Sequence, residues 1–285
     1  ITTEGGVSLS PLARRLGDWS CALMGVFAAL IFVVPFYWML VTSLKAPGTT
    51  TTFPPQFIPR PATLESYREA FASIPLVRYF LNSVIVTGSV LALQLPLVTA
   101  AAYAFANFDF KFKNQLFTLC LMSMMIPAQV TFLPNFLLMN KLRWYDSYLA
   151  LIIPFASSAY GIFLLRQAFL QVPKDLIHAA EIDGANHFQV LWHVLVPIVK
   201  PTITTVALFA FVTHWNSYFW PLVVTNSDAV RTLPVGVAML RDGENRMSWS
   251  VLMAGNMVAV TPVLALFLIF QKNLVRSFVQ GGLKS

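Results

Sequence analysis

The chain has 285 residues, 57% of them hydrophobic and only 11% charged, with a mean hydropathy of +0.68. Soluble domains carry roughly 25% charged residues, so this composition excludes one and points to an integral membrane protein. The formal charge of +7 fits anionic lipid headgroups and an acidic partner face; no basic stretch is interleaved with aromatics, which excludes nucleic acid as a partner.

Residues 1–18 are polar, carry Arg14 and Arg15, and read as a cytoplasmic N-terminal tail. A membrane domain over 19–285 follows, with apolar spans at about 19–44, 79–106, 115–140, 147–168, 202–225 and 250–271. Each is near or above the roughly 20 residues that cross hydrocarbon as a helix, and an even number of spans puts both termini on one side. The first stretch is too long for a signal-peptide core and lacks an Ala-x-Ala site, so it is expected to be a retained span. Outer loops are expected at 45–78, where Pro and Thr are frequent and one short helix fits, and at 226–249. Prolines inside spans, among them Pro127, Pro134, Pro154 and Pro221, predict kinks where neighbours or water satisfy the freed carbonyls. Cys21 and Cys120 lie in apolar runs and read as inert thiols rather than a pair.

Residues 173–201 interrupt this pattern. Pro173 suits a first helical turn and Asp175 the positive end of the helix dipole. Leu176, Ala179 and Ala180 recur at i, i+3 and i+4, predicting a narrow apolar stripe. Asp183-Gly184 predicts a turn or C-cap, because Gly accepts positive φ. A second helical piece over about 186–194 precedes Pro197 and Pro201. The expected element is an L-shaped helix, turn, helix with a small-residue outward face.

The chemistry the chain lacks is informative. It has no Gly-Lys-Ser/Thr phosphate loop, no Gly-x-Gly-x-x-Gly and no Gly-x-Ser-x-Gly, so neither a catalytic site nor a nucleotide site of its own is expected. The histidines are scattered, and His187 and His193 do not share a helical face, so no metal site is expected. Apart from Arg166 at the end of the fourth, the spans hold no Asp, Glu, Lys or Arg, whereas ion-coupled carriers need ionisable groups at bilayer depth. An energy source outside the chain is the simpler account; the alternative is an ion-coupled secondary carrier of a small polar solute. The spans do carry neutral polar groups and aromatics, with Trp215, Asn216 and Tyr218 in the fifth, Gln129 in the third and Ser157 in the fourth. Aromatic faces with amides and hydroxyls suit a sugar; the same residues also serve as interfacial anchors or interhelical glue. Arg231, Arg241 and Arg246 lie in the last outer loop, either solvated or as first contacts for an anionic group.

Ala179-Ala180-Glu181-Ile182-Asp183-Gly184-Ala185, with Val194-Leu195-Val196-Pro197 downstream, resembles the EAA loop of bacterial ATP-binding cassette (ABC) importer permeases. Together with 215–221 (Trp-Asn-Ser-Tyr-Phe-Trp-Pro) and the closing Gly281-Gly282-Leu283-Lys284, it is similar to the carbohydrate-uptake subfamily of maltose, trehalose and glycerol-3-phosphate type, on the side of the smaller six-span subunit. The likeness runs from about Trp19 to the C-terminus. It implies an all-α polytopic membrane bundle of six transmembrane helices, the type I permease fold, in a bacterial plasma (inner) membrane. It implies that His178, Ala179, Ala180, Glu181, Asp183, Gly184 and Ala185 form a cytoplasmic coupling helix on two ATPase subunits, a homodimer that carries ATP and Mg²⁺, with no cofactor on this chain. His178 stands where the family usually has Glu, leaving the charge to Glu181 or a hydrogen bond to His178. The resemblance also implies a second homologous permease, an extracytoplasmic binding protein touching the last outer loop, and a translocation path lined near Trp215 and Asn216. The solute would be a di- or oligosaccharide, a polyol or a glycerol-3-phosphate type compound. Orientation rests on the resemblance, because the 19 Lys and Arg divide almost evenly between the two sides.

Overall fold

The computed structural model describes residues 11–46, 48, 50, 54–241 and 248–282; Arg246 lies outside the described residues. All regular structure among these residues is helical. They fall into two compact units, one drawn from Ile1–Ala70 and Glu244–Met257, the other from Phe71–Gly243 and Val258–Ser285.

In the first unit, α1 (Pro11–Ser43) includes an apolar window at Ala22–Ser43 long enough to cross a membrane. The chain after it folds back toward the start of α2 (Glu65–Ser73). The Ser43 and Tyr67 hydroxyls meet at 2.9 Å, Ser66 Oγ donates to the Lys45 carbonyl at 2.8 Å, and Tyr37 Oη donates to the Phe57 carbonyl at 2.8 Å. Polar side chains thus take up backbone groups that no helix ladder reaches.

The second unit is built on α3 (Leu76–Asn107), whose buried residues include Val90, Val98 and Ala102. The stretch read as the third span is two helices, α4 (Lys113–Ser123) and α5 (Ala128–Lys141), meeting at 98°. Pro127 stands at the break in extended backbone; its ring and missing N–H bar a continuous ladder there. Then come α6 (Tyr148–Ile152), a tight helical turn at Ile153–Phe155 and α7 (Ala159–Leu170), which together make a candidate span Tyr148–Leu170. The Ser158 side chain caps α7 by accepting from the Gly161 N–H at 3.2 Å. α7 is the helix that packs most extensively on α3.

Next are α8 (Lys174–Ile182), α9 (His187–Gln189), a wide π turn at Val190–Leu195 and α10 (Val196–Ile198). The Pro197 ring would collide with the carbonyl four residues back, that of His193, in a regular helix; the wide turn accommodates it. After α10 the chain swings by 83° into α11 (Lys200–Trp215). α12 (Phe219–Val224), α13 (Leu233–Met239) and α14 (Trp249–Gly282) complete the order. Among the described residues, four helices are long and apolar enough to cross a membrane, or up to six if each bent pair is one span.

Candidate functional site

The α8–α9 elbow is held by two backbone devices in series. Gly184 takes φ +82°, the Gly184 N–H donates to the Glu181 carbonyl and the Ala185 N–H to the Ala180 carbonyl; this is a Schellman cap with glycine at its left-handed position. One residue later Asn186 opens a capping box: its Oδ1 accepts from the Gln189 N–H at 2.9 Å, and its own N–H donates to Gln189 Oε1 at 2.8 Å. The bend is therefore set by hydrogen bonds rather than by chain slack. The signature Asn-x-x-Gln after a glycine stop would have located this box from sequence.

Both limbs are anchored. Ile177 on the first, and Val190, Leu191 and Leu195 on the second, enter one apolar cluster with Val98 of α3 and Leu165 and Phe169 of α7. The stripe expected at Leu176, Ala179 and Ala180 is corrected here: Ile177 is buried, Ala180 half-buried, and Leu176 and Ala179 are exposed. The inward pair is set by the core's position, which helical spacing alone does not give. His178, Ala179, Glu181, Asp183 and Gly184 are exposed and Ala185 is half-buried. Ile182 is 86% and Phe188 68% exposed, so two large apolar side chains stand uncovered on the elbow. His178 and Glu181 also border a 270 Å³ polar cleft with Asp109, Lys113, Lys174 and His187.

A second feature lies where the expected fifth span is interrupted. Continuing α11 through Ser217 would set the Pro221 ring against the Ser217 carbonyl, and the helix stops at Trp215, restarting at Phe219. The gap faces a 360 Å³ cavity bordered by Gln129, Asn135, Phe155, Ser217, Tyr218 and Trp220, among others. That volume falls in the roughly 300–1,000 Å³ range of small-molecule pockets. Of the expected path residues, Gln129 and Tyr218 line it; Asn216 is exposed at the break, and Ser157 is exposed and does not line it. Trp215 is 2% exposed, its Nε1 donates to the Ala259 carbonyl at 2.8 Å and its ring packs against Phe80 and Phe211, so its indole is turned into the protein. Gln94 is a strut, donating to the Phe155 carbonyl at 3.1 Å.

The loop between α12 and α13 is fastened to α3 and α6. Tyr79 Oη donates to Asp228 Oδ1 at 2.6 Å, Asn82 Nδ2 to the Arg231 carbonyl at 2.9 Å, and Tyr148 Oη to Asn82 Oδ1 at 2.6 Å. The Arg231 side chain is 14% exposed and pairs with Asp228, so its charge is engaged inside the loop; Arg241 is exposed. Asp146, in left-handed backbone, accepts at Oδ1 from the N–H groups of Asn226 and Ser227 at 2.8 and 3.0 Å. Burial pushes its carboxyl up, but these backbone donors, the Ser227 side chain and the field of Arg231 outweigh it and hold the group below the ordinary 3.8. A depressed carboxyl stabilises the fold above its unfolded value and loses that contribution as pH falls through the folded one. Asp146→Asn, which keeps the acceptor and removes the charge, is expected to lower stability by less than about 1 kcal/mol at this half-exposed site. The difference should be constant above about pH 5, shrink as pH falls through about 4 and vanish only below the lowered folded value, as thermal unfolding across that range would record.

The described residues thus form a polytopic helical membrane chain with a doubly capped elbow, a broken span and a pocket of neutral polar groups at the break. Residues 95–280 match the family described as binding-protein-dependent transport system inner membrane component. The chain is 32% identical over 276 residues to the arabinooligosaccharides transport system permease protein AraQ of Halalkalibacterium halodurans, covering 94% of this chain and 96% of the relative. It is 34% identical over 252 residues to the sulfoquinovosyl glycerol transport system permease protein SmoH of Agrobacterium fabrum, covering 88% of each. A crystal structure of a bacterial ABC transporter involved in the import of the acidic polysaccharide alginate contains a chain that superposes with a TM-score of 0.81 at 24% identity, covering 94% of this chain and 99% of that one. The chain belongs to the binding-protein-dependent inner membrane component family, as a permease subunit of the carbohydrate ABC importer type. It is a multi-pass protein of the inner membrane.

Proposed function

We propose that this chain is one of two homologous permease subunits of an ATP-driven importer for a neutral sugar or sugar-like solute, delivered by an extracytoplasmic binding protein. The observation that carries this reading is the elbow: a doubly capped bend, anchored in the α3–α7 core, offering Ile182 and Phe188 uncovered. Two ATPase subunits, a homodimer carrying ATP and Mg²⁺, are the fitting occupants on the cytoplasmic side, and this chain binds no nucleotide or other cofactor itself. His178, Ala179, Ala180, Glu181, Asp183, Gly184 and Ala185 lie at or beside that contact. Alternating access follows if ATP closes the ATPase dimer, the anchored elbow moves as a lever, and the broken span reorients. The elbow's binding energy must favour one global state over the other, or ATP shifts nothing.

The solute path runs through the cavity at the break, where Gln129 and Ser217 offer hydrogen bonds and Tyr218 and Trp220 offer ring faces; Asn216 stands at its approach. Lys and Arg are absent from its described walls, which favours a neutral solute. Arg241, and Arg246 outside the described residues, are the arginines left for contact with the binding protein; the charge of Arg231 is already paired with Asp228. Tyr218→Ala is expected to raise the solute concentration for half-maximal uptake about tenfold, the loss of roughly 1.4 kcal/mol that a ring contact provides. Kinetics in proteoliposomes that remain unchanged across neutral oligosaccharides would remove Tyr218 from the path.

A further inference from the structure

Behind the solute cavity lies a second one of about 10 Å³, sharing Phe155, Ser217 and Trp220 with it. That is about the space one water needs. Thr87 of α3 and Thr232 border it, 2% and 4% exposed, and the hydroxyl of neither has a hydrogen-bond partner among the described residues. Both depart from what threonine does by default. A threonine inside a helix commonly donates to a carbonyl one turn back, as Thr204 and Thr205 do in α11; Thr87 does not. Thr232 occupies the N-cap of α13 in extended backbone, where its hydroxyl ordinarily accepts from the first helical turn, yet it makes no cap bond. The N–H of Leu233, the first helical residue, donates to Ser83 Oγ at 2.8 Å. Two buried, unpartnered hydroxyls on residues that border one water-sized space are unfavourable unless something there bonds both.

We propose that this cavity is an internal water site, in which one ordered water bridges Thr87 Oγ1 and Thr232 Oγ1, with His214 and Ser217 as further partners at its wall. A water there would join three parts: α3, the start of α13 and the break between α11 and α12. Hydrogen bonds through a water can be exchanged without opening an apolar contact, so the joint is wet where the span is interrupted. The inference rests on the cavity and its hydroxyls, and stands apart from the identity of the solute.

The test is Thr87→Val and Thr232→Val, singly and together, in the full chain reconstituted with its partners in lipid nanodiscs. A bridging water predicts that each near-isosteric change lowers the unfolding midpoint by about 2–4 °C. The double variant should lose less than the sum, because the first substitution already strands the water. Midpoints that stay level or rise, with additive effects, would overturn the site, since valine would then only be relieving unbonded hydroxyls. A high-resolution map of the unaltered protein gives an independent reading. Density within hydrogen-bond distance of both hydroxyls supports the bridge; a dry cavity, or a direct bond between the two threonines, rejects it.

Discussion

Replacing Ile182 with aspartate is expected to cut ATP-driven uptake by more than about tenfold while leaving the unfolding midpoint of the chain unchanged. The two halves of that expectation have separate causes. Ile182 is 86% exposed, so within this chain its side chain packs on almost nothing and a polar replacement removes little stability. Covered by a partner, an isoleucine contributes about 1.5–3 kcal/mol, and a carboxylate in its place must be desolvated without a counter-charge. The lost contact and the added charge together exceed the roughly 1.4 kcal/mol that corresponds to tenfold. Position matters as much as chemistry: Ile182 is the last residue of α8, immediately before the Schellman turn, so force applied there passes into the bend. Gly184→Val should damage transport by another route, because a β-branched residue resists the left-handed backbone that Gly184 adopts, while Gly184→Asn should be tolerated better. Uptake in cells and recovery of the ATPase with the purified permease are the measurements. Full uptake with Ile182→Asp, and undiminished ATPase recovery, would take the elbow out of the coupling route.

The all-helical membrane class is legible in the sequence because hydrocarbon leaves a chain few ways to satisfy its backbone, and long apolar runs then read as helices. The stop at Gly184 is legible for a similar reason, since Asp-Gly after a helical run is a left-handed cap. What is not legible is which side of a helix faces what. In a chain where most residues are apolar, Leu176 and Ile177 are equivalent on paper; the position of Val98 and Phe169 decides that Ile177 turns inward. Trp215 and Tyr218 present the same difficulty three residues apart. One donates its indole N–H to Ala259 inside the protein and the other lines the cavity, because the helix ends between them. Arg231 is a loop charge in sequence and a half-hidden partner of Asp228 in the fold, a pairing that depends on Tyr79 arriving from about 150 residues earlier.

Gly236→Ala is expected to destabilise the protein by about 3 kcal/mol, the upper part of the range for overpacking a filled interior. A Cβ at this position would lie 2.0 Å from Tyr79 Cδ2 and 2.5 Å from Cε2, distances that no relaxation of the methyl itself can relieve. The ring cannot swing aside either. Tyr79 is 1% exposed, its hydroxyl donates to Asp228 at 2.6 Å and also lies 3.4 Å from Arg231 Nη1. The remaining escape is for α13 to retreat from α3, which pulls on the 2.8 Å bond between the Leu233 N–H and Ser83 Oγ and loosens the loop that Asp146 holds from the other side. Less folded protein in the membrane and a lower unfolding midpoint should follow. The cause can be isolated with Tyr79→Ala: if the clash is responsible, adding Gly236→Ala to it should cost at least about 1 kcal/mol less than adding it to the unaltered chain. Additive losses would mean that the glycine serves α13 itself rather than the space for the ring. Gly184→Ala makes the contrast, since its Cβ meets nothing within 4 Å and only the left-handed backbone resists it, at about 1–2 kcal/mol.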